Sequence, residues 1–163
     1  MTLPQHDLAA RVLTALEARG ETLAVAESLT GGLLGATITS VPGASSVFRG
    51  GVIAYATDVK ASLLGVDPDL LAREGAVHPE VARQLAAGVR ARLSATYGLG
   101  LTGVAGPDPQ DGRPPGTLYV GVAGPDGAEA VAPRVGGGDR PSIRSEAVAA
   151  ALDLLATRLG AFR

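Results

Sequence analysis

Apolar positions recur along this chain with two periods, and the alternation between them sets out the elements. In residues 7–18, Leu8, Val12 and Leu16 fall four apart on one face, the spacing of an amphipathic helix. Residues 22–26 form a short continuous apolar run, read as a buried strand. Residues 31–39 are small and apolar and predict a helix, which Val41-Pro42-Gly43 ends. Residues 51–56, Gly-Val-Ile-Ala-Tyr-Ala, predict a second strand. Two short helices follow at 58–64 and 68–73, closed by Gly65 and Gly75. A longer helix starts at His78-Pro79-Glu80, with Pro79 in its first turn and Val81, Leu85, Val89 and Leu93 on one face. Residues 99–104 predict a third strand. Residues 106–116 hold four prolines and three glycines and predict a loop. A hairpin is predicted over 117–123 and 128–135, joined by Gly-Pro-Asp-Gly. The last helix starts near Pro141-Ser142 and carries Ile143, Ala147, Ala151, Leu155 and Leu159 on one face.

Helices alternating with strands, closed by one late hairpin, predict a three-layer α/β/α sandwich with a mixed sheet. The 163 residues are about the size of one domain, and no repeat or linker divides 1–163. Apolar residues make up 46% of the chain but aromatics only 3%, so the core must be built from Ala, Val and Leu. The net charge of −2 gives no reason to expect nucleic acid or an anionic membrane as partner. There is no Cys, which excludes disulfides and thiolate chemistry. No basic leader region and no membrane-length apolar run occur, so the expected setting is soluble and cytoplasmic. No His, Asp and Glu set has metal-ligand spacing, and neither metal nor cofactor is expected.

Ligands of such sheets gather beyond the C-terminal ends of the strands. Residues 27–32, 55–60, 102–107 and 138–140 fall there. Ser28 stands at a strand-to-helix junction. It could cap the helix, bind an anion, or act as a nucleophile with the Thr30 and Gly31 N–H groups facing an oxyanion. A serine needs a base, and the two histidines are poorly placed for that role: His6 lies near the N-terminus and His78 at the start of a helix. The 14 basic residues include a single lysine, Lys60. Unlike Arg, a desolvated Lys can lose its proton near neutral pH. In an arginine-rich chain Lys60 is thus either a position that needs a titratable amine or one surviving surface lysine. Arg140 and Arg144, near the last Gly-rich turn, could each pair with a phosphate.

Several short motifs occur together in one order: Ala26-Glu27-Ser28-Leu29-Thr30-Gly31-Gly32, Val41-Pro42-Gly43-Ala44-Ser45-Ser46, Tyr55-Ala56-Thr57-Asp58-Val59-Lys60, Gly75-Ala76-Val77, Thr102-Gly103-Val104-Ala105-Gly106-Pro107, Pro115-Gly116-Thr117 and Gly138-Asp139-Arg140. In these the chain resembles the C-terminal domain of the CinA family, the nicotinamide-nucleotide amidases. The resemblance implies hydrolysis of the carboxamide of nicotinamide mononucleotide to nicotinic acid mononucleotide and ammonia, in pyridine nucleotide salvage. It implies a Ser28–Lys60 dyad, with Tyr55 and Thr102 as supports. It also implies substrate contacts at Ser45, Ser46, Gly103, Gly106 and Arg140, and a homo-oligomer, either dimer or trimer. The sequence departs from the family pattern at Leu29, at Thr57-Asp58 and at His78. The alternatives are a non-catalytic nucleotide-binding module linked to competence or DNA damage, and an amidase for another small amide.

Overall fold

The computed structural model describes residues 4–161. The elements run α1 (Pro4–Arg19), β1 (Leu23–Glu27), α2 (Leu33–Thr39), a 3₁₀ turn (Ala44–Ser46), β2 (Phe48–Ile53), α3 (Thr57–Leu64), α4 (Pro68–Glu74), α5 (Pro79–Arg92), β3 (Tyr97–Gly103), β4 (Leu118–Gly124), β5 (Gly127–Val131) and α6 (Arg140–Leu159). One five-stranded sheet has the order β2-β1-β3-β4-β5. β1 is parallel to both β2 and β3, while β4 and β5 run antiparallel. The sheet is therefore mixed, as the helix–strand alternation with one hairpin predicts.

Helices cover both faces. On one, α1, α2 and α6 bury Val12, Leu16, Leu34, Ile38, Leu152 and Leu155 against Val25, Leu99 and Val120 of the sheet. On the other, α3, α4 and α5 bury Leu64, Leu70, Val81, Leu85 and Val89 against Ala24 and Ala26. Side chains alternate along β1, so Val25 serves the first core and Ala24 and Ala26 the second. No described helix is long and apolar enough to cross a membrane.

The predicted second strand lies three residues too late. Residues 52–56 look like a buried apolar run, but β2 is an edge strand and its burial simply alternates. It can therefore begin at Phe48 and pass through Gly50 and Gly51. The Cα of Gly51 lies against β1, where a Cβ would stand 2.8 Å from the Val25 side chain. The chain leaves the sheet at Ala54, whose N–H still donates to the Glu27 carbonyl at 2.8 Å. Three other limits move by one to four residues. α2 starts at Leu33 because Gly31 and Gly32 have φ of 58° and 106°, outside the helical region. β5 ends at Val131, before Pro133, which has no N–H to give a ladder. α6 begins at Arg140, where the Asp139 side chain accepts the Ser142 N–H as its cap.

Tight approach of α5 to the sheet fixes the second layer. Gly98 and Gly100 of β3 and Gly121 of β4 let the α5 backbone lie directly on the strands. A Cβ on Gly100 would come within 2.6 Å of both the Ala82 carbonyl oxygen and the Ala86 nitrogen. Those are backbone atoms that cannot rotate away. Gly100→Ala should therefore destabilise the fold by about 1–3 kcal/mol or more. The check is a lower denaturant midpoint at unchanged slope.

Candidate active site

One crossover carries the chain from β1 to β2, and the next carries it from β2 back past β1 to β3. β2 lies on one side of β1 and β3 on the other, so the crevice between the ends of β1 and β3 is the switch point of the sheet. Ser28 follows β1 there, and Gly103 ends β3. A cleft of about 360 Å³ opens at this point, lined by Ser28, Leu29, Tyr55, Arg140 and residues 103–110.

Glu27, not Ser28, caps α2. The last residue of β1 is only 3% exposed. Its carboxylate reaches over the turn and accepts the N–H of Leu34 at 2.8 Å and of Gly35 at 3.0 Å. A carboxylate suits the positive end of a helix. Gly32, in the N-cap position, offers no side-chain cap. The Ser28 hydroxyl is thereby released from backbone duty.

That hydroxyl meets Lys60. Lys60 lies one turn into α3, and its side chain is only 1% exposed. Its Nζ lies 3.0 Å from Ser28 Oγ, 2.7 Å from the Ala54 carbonyl and 3.2 Å from the Tyr55 carbonyl. Both carbonyls are available because β2 has already left the ladder at Ile53. Burial lowers the Lys60 amine to about 8, against the pull of the Asp111 negative charge, which raises it. A neutral amine has two N–H bonds and one lone pair. In the neutral amine the two carbonyls can take both N–H bonds, which leaves the lone pair for the Ser28 O–H; the ammonium donates to Ser28 Oγ as well.

The turn after Ser28 is held by Arg144, whose Nε donates to the Leu29 carbonyl at 3.1 Å and Nη2 to the Thr30 carbonyl at 2.9 Å. A trans peptide points its N–H away from its carbonyl, so Arg144 aims the Thr30 N–H away from itself. No acceptor among the described residues engages that N–H. The Gly31 N–H is different: it donates to the Ser28 carbonyl at 3.0 Å. It is not free for an oxyanion, which corrects the expectation for Gly31. The Ala105 and Gly106 N–H groups, beside the cleft, have no described acceptor.

Arg140 lines the cleft. Its guanidinium donates to the Gly106 carbonyl at 2.6 Å and to the Tyr55 hydroxyl at 3.0 Å. Tyr55 thus contributes its carbonyl to Lys60 and its ring to the cleft rim. Thr102 hydrogen-bonds to neither member of the pair; its hydroxyl donates to the Ala76 carbonyl at 2.8 Å. Ser45 and Ser46 do not reach the cleft. They precede β2, alongside the start of β1, whereas Ser28 follows its end, so a strand length separates them. Ser46 instead donates to Glu17 and to the Gly43 carbonyl. His78 caps α5, its Nδ1 accepting the Glu80 N–H.

The mixed α/β sheet thus carries a buried serine–lysine pair at its switch point. Residues 5–159 match the family model of the CinA C-terminal domain, and the chain belongs to that family. A CinA-like protein of Frankia casuarinae is 61% identical over 144 residues, which cover 88% of this chain and 33% of that protein. Another, of Nostoc sp., is 48% identical over 163 residues, covering 93% and 38%. The chain thus spans roughly a third of the length of the curated relatives it matches. Among solved structures, a CinA superfamily protein of Klebsiella pneumoniae superposes with TM-score 0.92 at 30% identity, covering 97% of this chain and 99% of that one. A competence/damage inducible protein of Agrobacterium tumefaciens gives 0.91 at 33%, covering 98% and 99%.

The buried amine has a stability consequence. Lys60 titrates near 8 when folded and near 10.5 when exposed. Between those values the unfolded chain binds more protons than the folded one, so stability rises with pH across that window. Below it both states are protonated and the full penalty of burying the ammonium applies, about 3 kcal/mol. Urea melts at pH 7.5 and pH 10 should show that gain in the wild type. Lys60→Met should lack it.

Proposed function

We propose that the chain is an amidase of the serine–lysine type that hydrolyses the carboxamide of nicotinamide mononucleotide, giving nicotinic acid mononucleotide and ammonia. The observation that carries this reading is the 3.0 Å approach of a desolvated Lys60 Nζ to Ser28 Oγ at the mouth of a nucleotide-sized cleft.

Neutral Lys60 takes the Ser28 proton as Oγ attacks the amide carbon. The Thr30 N–H and a cleft-facing amide from Ala105 or Gly106 receive the developing oxyanion. Lys60, now an ammonium, gives its proton to the leaving nitrogen, and ammonia departs. The neutral amine then takes a proton from water, which cleaves the acyl-serine and restores Ser28. Arg140 supplies a fixed positive charge at the cleft for the phosphate, since its fork has donors left after Gly106 and Tyr55. The Tyr55 ring, 61% exposed, offers an apolar face beside the site.

The test is ammonia release from nicotinamide mononucleotide. Ser28→Ala and Lys60→Ala should each lose roughly 10²–10⁴-fold or more in kcat. Lys60→Arg should be equally inactive, because a guanidinium keeps its proton. In the wild type the rate should rise with pH along a limb centred near 8, the value burial gives Lys60. Unchanged turnover in either Ala variant would refute the role assigned to that residue. A thermal shift with the nucleotide but no ammonia would point to a binding module, and ammonia from other amides alone would change the substrate.

A further inference from the structure

The carbonyls of Ser28, Leu29 and Thr30 are all engaged. The Ser28 carbonyl accepts the Gly31 N–H at 3.0 Å. The Leu29 carbonyl accepts Arg144 Nε at 3.1 Å. The Thr30 carbonyl accepts Arg144 Nη2 at 2.9 Å and the Leu33 N–H at 3.0 Å. These peptides are trans, so each N–H points opposite its carbonyl. Fixing the Ser28 carbonyl therefore directs the Leu29 N–H, and fixing the Leu29 carbonyl directs the Thr30 N–H. Neither N–H has an acceptor among the described residues, although both residues are buried. Buried N–H groups are seldom left unpaired. Here there are two in succession, and Leu29 lines the cleft beside Ser28.

Arg144 is the one partner of this turn that is a side chain and carries a charge. It does not line the cleft, so the phosphate contact that its place in the sequence allows falls to Arg140 alone. No carboxylate among the described residues forms an ion pair with Arg144. Its place is fixed by α6, whose neighbouring Ile143 and Ala147 are buried in the first core and whose start Asp139 caps. The fork packs closely on the turn, where a Cβ on Gly31 would stand 3.4 Å from Nη2.

We infer that Arg144 is a positioning residue for the tetrahedral stage of the reaction: its guanidinium holds the peptide planes after Ser28 so that the Leu29 and Thr30 N–H groups face the oxyanion. The identity of the reaction rests on the amidase reading above, whereas the role of Arg144 rests on the hydrogen bonds of the turn. A hydrogen bond to a carbonyl polarises its peptide and strengthens the N–H opposite, and a charged donor does so more. The positive charge of Arg144 thus reaches the oxyanion through the Leu29–Thr30 peptide. A planar fork suits two successive carbonyls, while a lysine ammonium is a single point charge. The two arginines of α6 then have separate effects. Arg140, in the cleft, acts on substrate binding. Arg144, behind the turn, acts only as charge develops on the oxygen.

Ammonia release from nicotinamide mononucleotide separates these effects. Arg144→Met should lower kcat by about 10–100-fold and leave KM within about twofold. Arg144→Lys should fall between it and the wild type, and Arg140→Met should mainly raise KM. A second measurement needs no turnover. 3-Pyridylboronic acid has a flat ring and no phosphate. Its boron accepts Ser28 Oγ while the Ser28 proton passes to Lys60, giving a tetrahedral boronate anion that ¹¹B NMR resolves. The wild type should form this adduct, Ser28→Ala should not, and Arg144→Met should bind the boronic acid about 10-fold or more weakly. In a Ser28→Ala background, adding Arg144→Met should leave the dissociation constant of the nucleotide unchanged. Equal adduct affinity in wild type and Arg144→Met, no adduct in the wild type, or a change confined to KM overturns the role of Arg144. Should Arg144→Met fail to fold, wild-type kcat and adduct affinity in Arg144→Lys overturn it. An adduct weakened by Arg144→Met in a protein that releases no ammonia from the nucleotide would sink the substrate reading and leave the role of Arg144 intact.

Discussion

The Lys60 amine, buried to 1% exposure, is the constraint around which this molecule is arranged. Desolvating an ammonium is expensive, and a protein tolerates it only by pairing the charge or by letting it go. Among the described residues no carboxylate forms an ion pair with Lys60. Two main-chain carbonyls and one hydroxyl surround it instead. Carbonyl dipoles can serve either protonation state, so the site holds the amine without forcing a full charge on it. The carbonyls come from Ala54 and Tyr55, residues just past the end of β2, and only because that edge strand stops at Ile53 are they spared from the ladder. Extending β2 to Ala56 would consume them.

The junction after β1 shows how several backbone demands are met without using the Ser28 hydroxyl. A helix N-terminus needs acceptors, and Glu27 meets that need from inside the strand, reaching past the turn to Leu34 and Gly35. The turn itself carries two successive residues at positive φ, Gly31 and Gly32, which delays the helix and sets Ser28 at the rim rather than in its first turn. Arg144 then fixes the carbonyls of Leu29 and Thr30 from α6. Each of the three tasks, capping, turning and anchoring, falls to a residue other than Ser28.

Much of the architecture was legible because the helix faces have clear spacing and the loops are rich in Gly and Pro. Ser28 and Lys60 stood out for local reasons: a hydroxyl at a strand–helix junction and a single lysine among arginines. What escaped notice depends on distance in sequence or on sheet position. The Glu27 cap reaches seven and eight residues ahead, beyond the local capping pattern that sequence reading tests. Arg144 reads in the sequence only as a candidate phosphate partner beside the last Gly-rich turn, because the Leu29 carbonyl it holds lies more than a hundred residues away along the chain. The limits of β2 were misread because an edge strand alternates where a central strand would be continuously apolar. Ser45 and Ser46 resemble a site motif, but which end of the sheet a loop occupies is a property of strand direction. Because β2 runs parallel to β1, the loop that enters β2 must lie at the end opposite the one β1 leaves.

Strand direction also explains why the site can be assembled at all. Parallel strands β1, β2 and β3 all deliver their C-terminal ends to the same edge, and the order β2-β1-β3 puts the serine strand between the other two. The loop after β2 brings Lys60 in from one side, and the loop after β3 brings the cleft wall in from the other. Antiparallel β4 begins at that same edge, so residues 106–116 need only span a turn between adjacent strands, and their length is free to form the wall and the return to Ala76, whose N–H donates to Asp111. The hairpin then carries the chain to α6, whose first turns present Arg140 to the cleft and Arg144 to the turn after Ser28, one helical turn apart. A parallel strand in place of β4 would require a crossover helix after β3 and would displace the loop on which the cleft depends.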